Sequence, residues 1–121
     1  MVFRFRNFEV YVNSRKLINK VYEITRKFPQ REQFGLTAQL RRAALSIALN
    51  IAEGSDRGSD RDFNRFIQMA MGSVNEVVAA SDIALDNNYI NQSSCNSIIS
   101  DAEVVIKQLS NLSKKLKSCQ P

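Results

Sequence analysis

Residues 36–53 read as a helix that is apolar on two opposite faces. Leu36, Leu40, Ala43, Ala44, Ile47 and Ile51 advance by steps of 4, 3, 1, 3 and 4, the spacing of a single core-facing stripe. Ala38, Leu45, Leu49 and Ala52 occupy the far side, where a helix on the surface of a monomer carries polar residues. Between the two faces Gln39, Arg42, Ser46, Asn50 and Glu53 form a narrow polar strip. A helix of this kind is either central to its own domain or covered by another copy of the chain. A chain of 121 residues favours the second arrangement.

The remaining sequence is also helical in pattern. Only 4 glycines and 2 prolines interrupt it, which argues for long helices and against strands and turns. A first helix is expected over Glu9–Lys27, where Val10, Leu17, Val21, Ile24 and Phe28 make a stripe with Ser14 filling its gap. Pro29 stops it, Gly35 turns the chain, and Thr37 is a plausible N-cap for the second helix. That helix ends at Glu53, with Gly54 in the position where a left-handed residue closes a helix. A third runs from Ser59 or Asp60 to about Asp86, followed by a turn at Asn87, Asn88 and Asn91. In the fourth, from Gln92 to Leu116, Ile98, Ala102, Val105, Leu109, Leu112 and Leu116 repeat as a heptad.

Four helices with short connections predict an all-α, antiparallel up-down-up-down four-helix bundle in one domain, residues 1–121. The alternation of Val2, Phe3, Arg4, Phe5 and Arg6 predicts that residues 1–7 are an extended tail pinned by its phenylalanines. Residues 118–121 are expected to be a flexible tail. A domain of this size hides roughly 65% of its unfolded surface, enough to fold without disulfides or metal. No run of 18 apolar residues is present to span a membrane. Cys95 and Cys119 are too few for a disulfide scaffold and read as reduced thiols of a bacterial-type cytoplasm, which makes the Asn91 and Asn111 sequons chance matches.

The net charge of +5 is unevenly spread. Residues 1–42 carry ten Lys or Arg against Glu9, Glu23 and Glu32; residues 43–106 carry three against nine acids; Lys107 and the tail lysines restore the excess. Such asymmetry points to a polyanion as partner, although tail lysines also complement a helix C-terminus. Bundle topology brings Arg4, Arg6, Arg57, Arg61, Lys114, Lys115 and Lys117 to one end. Arg41, Arg57, Arg61, Lys114 and Lys115 are the candidate phosphate contacts, and binding through them is expected to be weakly sequence-selective.

Catalytic chemistry has little to work with. The absence of histidine removes the commonest general base and the Glu-x-x-His pairs of a di-iron bundle. Two distant cysteines make no zinc site, so neither metal nor cofactor is expected. The segment around Gly54–Gly58 lacks the Lys-Ser/Thr ending of a phosphate-binding loop and the register of a nucleophile elbow. Glu53 and Glu76 on adjacent helices, as a facing carboxylate pair, and Asp60 with Asp62 are the outside alternatives. A non-enzymatic role is expected.

The stretch FPQREQFGLTAQLRRAALSIALNIAEG, followed by FNRFIQMAMGSVNEV, closely resembles the four helix bundle protein family, also called the 23S rRNA intervening-sequence proteins. The match runs from Phe8 to Leu112, with Tyr11 where relatives often carry tryptophan. The resemblance implies a bacterial protein, in some members encoded within insertions in 23S rRNA genes, and an antiparallel bundle assembled as a homopentameric barrel. It also implies kinship with the accessory variability protein of diversity-generating retroelements, which binds a reverse transcriptase and its RNA. Gln39, Arg41, Arg42, Ser46, Asn50, Glu53 and Gly54 are the motif positions that match. Since burying a polar strip without partners is costly, Arg42, Ser46, Asn50 and Glu53 are expected to form an internal polar network, with Ala38, Leu45, Leu49 and Ala52 as the oligomer interface. The functional expectation is a non-catalytic oligomeric RNA- or DNA-binding accessory protein; the alternatives are a protein-binding scaffold and, last, an enzyme.

Overall fold

A computed structural model describes residues 2–118. Its main elements are α1 (Glu9–Thr25), α2 (Leu36–Ser55), α3 (Asp60–Asp86) and α4 (Gln92–Ser118), with short 3₁₀ turns at Arg4–Asn7 and Gln30–Glu32. Ser118 closes α4; the rest of the expected flexible tail, and Cys119, lie outside the described residues. No strand occurs among the described residues. Each helix packs on its sequence neighbour, α1 also packs on α4, and the diagonal pairs stay apart, so the helices stand at the corners of a square.

The core follows from the periodicity. Leu17 and Val21 of α1, Leu40, Ile47 and Ile51 of α2, Ile67, Val74 and Val77 of α3, and Ile98, Val105 and Leu109 of α4 are fully buried. Each such side chain contributes about 1.5–3 kcal/mol relative to exposure. Ser14, Thr25 and Ser81 share this interior because each hydroxyl donates to the carbonyl one turn back, at 2.7 Å. A small side chain therefore occupies the stripe without an orphaned polar atom.

Several helix ends depart from expectation for identifiable reasons. Helix α1 stops at Thr25 because Lys27 and Phe28 donate to the carbonyls three residues back, a tightened turn ahead of Pro29. Thr37 is not the N-cap of α2; it lies inside the helix and is buried. The Leu36 amide is instead taken by Glu32 Oε1 at 2.9 Å, while Glu32 Oε2 accepts the Tyr89 hydroxyl at 3.0 Å. Gly54 is not a left-handed terminator, since no glycine has positive φ among the described residues. It is helical, and a Cβ there would lie 2.7 Å from Phe66 Cβ and 2.9 Å from Phe63 Cδ1. Its missing side chain lets α3 cross close to α2. The turn after α3 does use a left-handed residue, Asn88 at φ 62°.

The first residues are not extended. Arg4–Asn7 form a 3₁₀ turn, closed by Arg6 N–H to Phe3 O and Phe8 N–H to Phe5 O. A three-residue period places Phe5 and Phe8 on one side, where an alternating strand would pair Phe5 with Phe3. Phe5 meets the Tyr11 ring edge-on at 5.0 Å, Phe8 stacks with Phe63 at 6.4 Å, and Phe3 stays exposed. Arg4, although exposed, lies over the Phe8 and Phe63 rings and donates to Ser55 O at 2.8 Å.

Glu32 gives this fold a pH-dependent clasp. The Leu36 amide and then the Tyr89 hydroxyl hold its carboxyl below the ordinary value of 4.5; desolvation opposes them and Arg31 adds a lesser pull downward. A carboxyl lowered on folding stabilises the fold above its unfolded value and loses that contribution as pH falls through the folded one. Glu32→Gln keeps an acceptor but removes the charge. Thermal melts should show the wild type losing more stability than this variant between about pH 6 and about pH 3; equal losses would contradict the clasp.

Candidate assembly face and basic surfaces

Helix α2 turns its second apolar stripe outward. Leu45 is 40% and Leu49 58% exposed, with Ala38 and Ala52 half-buried beside them. The two leucines form a ridge between two grooves. One, of about 380 Å³, lies toward α1 and includes Tyr11, Arg15, Ile18 and Asn19. The other, of about 990 Å³, lies toward α3, is walled by Arg42, Ser46, Asn50 and Glu53, and is capped by the N-terminal turn. Met69 of α3 adds an apolar side chain to this larger groove. The two leucines thus lie one turn apart on the solvent side of α2, each flanked by a concave surface.

The Arg42, Ser46, Asn50, Glu53 strip is not internal to the protomer. Arg42 and Glu53 are exposed; Ser46 and Asn50 are half-buried at the groove rim. Asn50 Nδ2 donates to Ser46 O at 2.9 Å and to Ser46 Oγ at 3.0 Å, and Ser73 Oγ donates to Ser46 Oγ at 3.0 Å. Glu53 accepts from Arg57 at 2.7 Å, one turn on. Arg42 has no hydrogen-bond partner among the described residues. The physical reason is close helix approach: Ser73 meets Ser46 and Gly54 lies against Phe63 and Phe66, which leaves longer polar side chains outside the α2–α3 seam. Glu53→Ala therefore removes a surface i,i+4 pair, and the protomer should lose no more than about 0.5 kcal/mol. A loss of several kcal/mol in chemical denaturation of a monomeric background would show that the strip is buried after all.

The basic candidates divide. Arg41 braces α1 to α2: its Nε donates to Thr25 Oγ1 at 2.8 Å, and its guanidinium lies 4.7 Å from the centre of the Tyr22 ring. Arg57 pairs with Glu53 and, at 3.7 Å, with Asp62, and covers the Phe66 ring. Arg61, Lys114 and Lys115 are exposed and carry no ion pair among the described residues. The bundle brings the expected end cluster together, but Arg4 is engaged by Ser55 O, and Glu53, Asp56, Asp60 and Asp62 share that end.

Charge is sorted sideways as well, which end-by-end counting missed. Helix α3 carries Asp60, Asp62, Glu76, Asp82 and Asp86 against Arg61 and Arg65, a balance of −3. Residues 9–27 carry Arg15, Lys16, Lys20, Arg26 and Lys27 against Glu9 and Glu23, a balance of +3. Lys20 pairs with Asp101 of α4 at 2.7 Å; the other four cations are exposed and carry no ion pair among the described residues. The signal was present in the sequence but became spatial only once α1 and α3 were placed on opposite corners.

Glu53 and Glu76 are not brought together. The Ser46–Ser73 contact fixes the register, and Gly54 lies against Phe66. Glu76 is then about ten residues, roughly 15 Å along α3, from the level of Glu53. Among the described residues no group of three His, Cys, Asp or Glu side chains is placed to hold a metal ion, and no helix is long and apolar enough to cross a membrane. Cys95 is buried in the core, where desolvation, then Asp82 and Asp86, push its thiol upward.

Comparisons with known proteins agree on the architecture. A solved structure from Bacteroides thetaiotaomicron, described as a protein of unknown function from the S23 ribosomal protein family, superposes with a TM-score of 0.78. It is 23% identical and covers 87% of this chain and 98% of its own, a likeness that shows the fold alone. No curated protein matches the sequence. The profile of the 23S rRNA-intervening sequence proteins matches residues 6–111, nearly the whole bundle. The chain belongs to the 23S rRNA-intervening sequence protein family.

Proposed function

We propose that this chain is a non-catalytic, cytoplasmic accessory protein that assembles into a ring, with five copies the leading number, and binds RNA or DNA through basic surfaces. The observation that carries the reading is a set of exposed cations free of ion pairs among the described residues: Lys16 on α1, Arg61 on α3, and Lys107, Lys114 and Lys115 on α4. Repetition around a closed ring multiplies these charges into a continuous positive surface. The family's name refers to 23S rRNA, which makes a structured RNA the first probe to try. Binding is expected to be weakly sequence-selective, with affinity coming from phosphates. Arg61, Lys114 and Lys115 remain the phosphate candidates of the bundle end; Arg41 and Arg57 serve first as braces.

Lys114→Ala with Lys115→Ala should weaken binding about equally for unrelated RNAs and reduce the salt slope by one to two phosphates' worth, about one unit each. Unchanged affinity in gel retardation would remove α4 from the interface. A second reading, a scaffold for another protein such as a retroelement reverse transcriptase, is supported by the 990 Å³ groove with its mixed apolar and polar walls. Binding insensitive to salt would favour it.

A further inference from the structure

Helix α3 carries a second exposed seam that the bundle leaves uncovered. Met69, Gly72, Glu76, Ala79 and Ile83 advance by 3, 4, 3 and 4 residues, the spacing of a helix-packing seam. Met69 and Ile83 are about half exposed, and a Cβ added at Gly72 would meet nothing within 4 Å. Glu76, Asp82 and Asp86 make this corner acidic, and all three are exposed.

We infer that the α3 seam of one copy docks on the α1–α2 face of the next, so that the same two surfaces repeat around the ring. This rests on the oligomeric reading above and specifies the partner of its apolar ridge. Corners α1 and α3 are diagonal, so a contact between them is head-to-tail, the kind that closes a ring. Both helices run from the same end of the bundle, and rotation about an axis parallel to it leaves heights unchanged. The Ser46–Ser73 and Arg41–Thr25 contacts set those heights. Asp82 then lies level with the Arg26–Lys27 region, and Met69 and Gly72 lie level with Leu49 and the small groove between α1 and α2. Acid meets base at one end of the contact, and the leucine ridge meets a seam thinned by Gly72 and Ala79. Electrostatic pairing of this kind fixes register and suppresses wrong partners.

Charge exchange tests the contact. In light scattering of the full chain, Asp82→Lys with Asp86→Lys should weaken self-association at least about tenfold, as should Arg26→Glu with Lys27→Glu. Combining all four should restore it to within about threefold of wild type, because the pairs are exchanged rather than lost. Gly72→Trp should block assembly while circular dichroism shows unchanged helix content. Wild-type oligomers indifferent to both reversals and to Gly72→Trp would overturn this contact and leave the oligomeric reading standing. A wild-type monomer at about 50 µM, where a contact of this kind holds copies together, would overturn both.

Discussion

Leu49→Glu should convert the assembly to monomers without unfolding them. In the protomer Leu49 is 58% exposed on the outer side of α2, so the substitution opens no cavity and strands no buried partner. In the proposed assembly the same side chain is covered. Hiding Leu45 and Leu49 at about 25 cal/mol per Å² contributes a few kcal/mol per contact, and a glutamate in their place adds the desolvation cost of an unpaired charge. The change is felt once at every contact of a closed ring. Sedimentation or light scattering should therefore fall to the protomer mass, with far-ultraviolet dichroism unchanged. An oligomer that survives both Leu45→Glu and Leu49→Glu would show that the ridge faces solvent in the assembled state.

Gly54→Val should destabilise the protomer itself more than any surface change. The added Cβ meets Phe66 Cβ at 2.7 Å, Phe63 Cδ1 at 2.9 Å and the Phe63 carbonyl at 3.3 Å. These neighbours belong to the first turns of α3, tied to the bundle by the Ser59 cap and by Phe8 stacked on Phe63. The crossing has no flexible side-chain end to yield, so relief requires moving α3 away from α2, its most extensive packing partner. A loss of about 3 kcal/mol or more is expected, near the top of the range for overpacked cores. That corresponds to a fall in melting temperature of about 10 °C or more for a domain of this size. A near-neutral result would mean that the seam tolerates separation and that Gly54 is held there for another reason.

The helices were legible because their stripes repeat at 3.6 residues over three or more turns, and no later contact overrides such a pattern. The start of α3 at Ser59 or Asp60 and the turn at Asn88 were legible because they follow from side-chain chemistry that acts locally. What was not legible depends on partners distant in sequence. Gly54 looks like a helix terminator until Phe63 and Phe66 are placed against it. Arg41 looks like a free cation until Thr25 and Tyr22 are seen beneath it. Arg4–Phe5 looks extended until Ser55 and Tyr11 are available to reward a turn. The polar strip of α2 was identified correctly as a strip, but its depth depended on how closely α3 approaches, which one helix cannot report.

Binding of nucleic acid by a ring of basic surfaces is tested most directly by retardation of a structured RNA by wild-type protein across a salt series. A complex is expected at about 50 mM salt, with comparable affinity for RNAs of unrelated sequence and a fall of about a thousandfold by about 200 mM as several phosphate contacts are lost. Failure to retard RNA or DNA at about 50 mM, where phosphate contacts are strongest, would contradict it and leave the protein-binding scaffold as the reading of this fold.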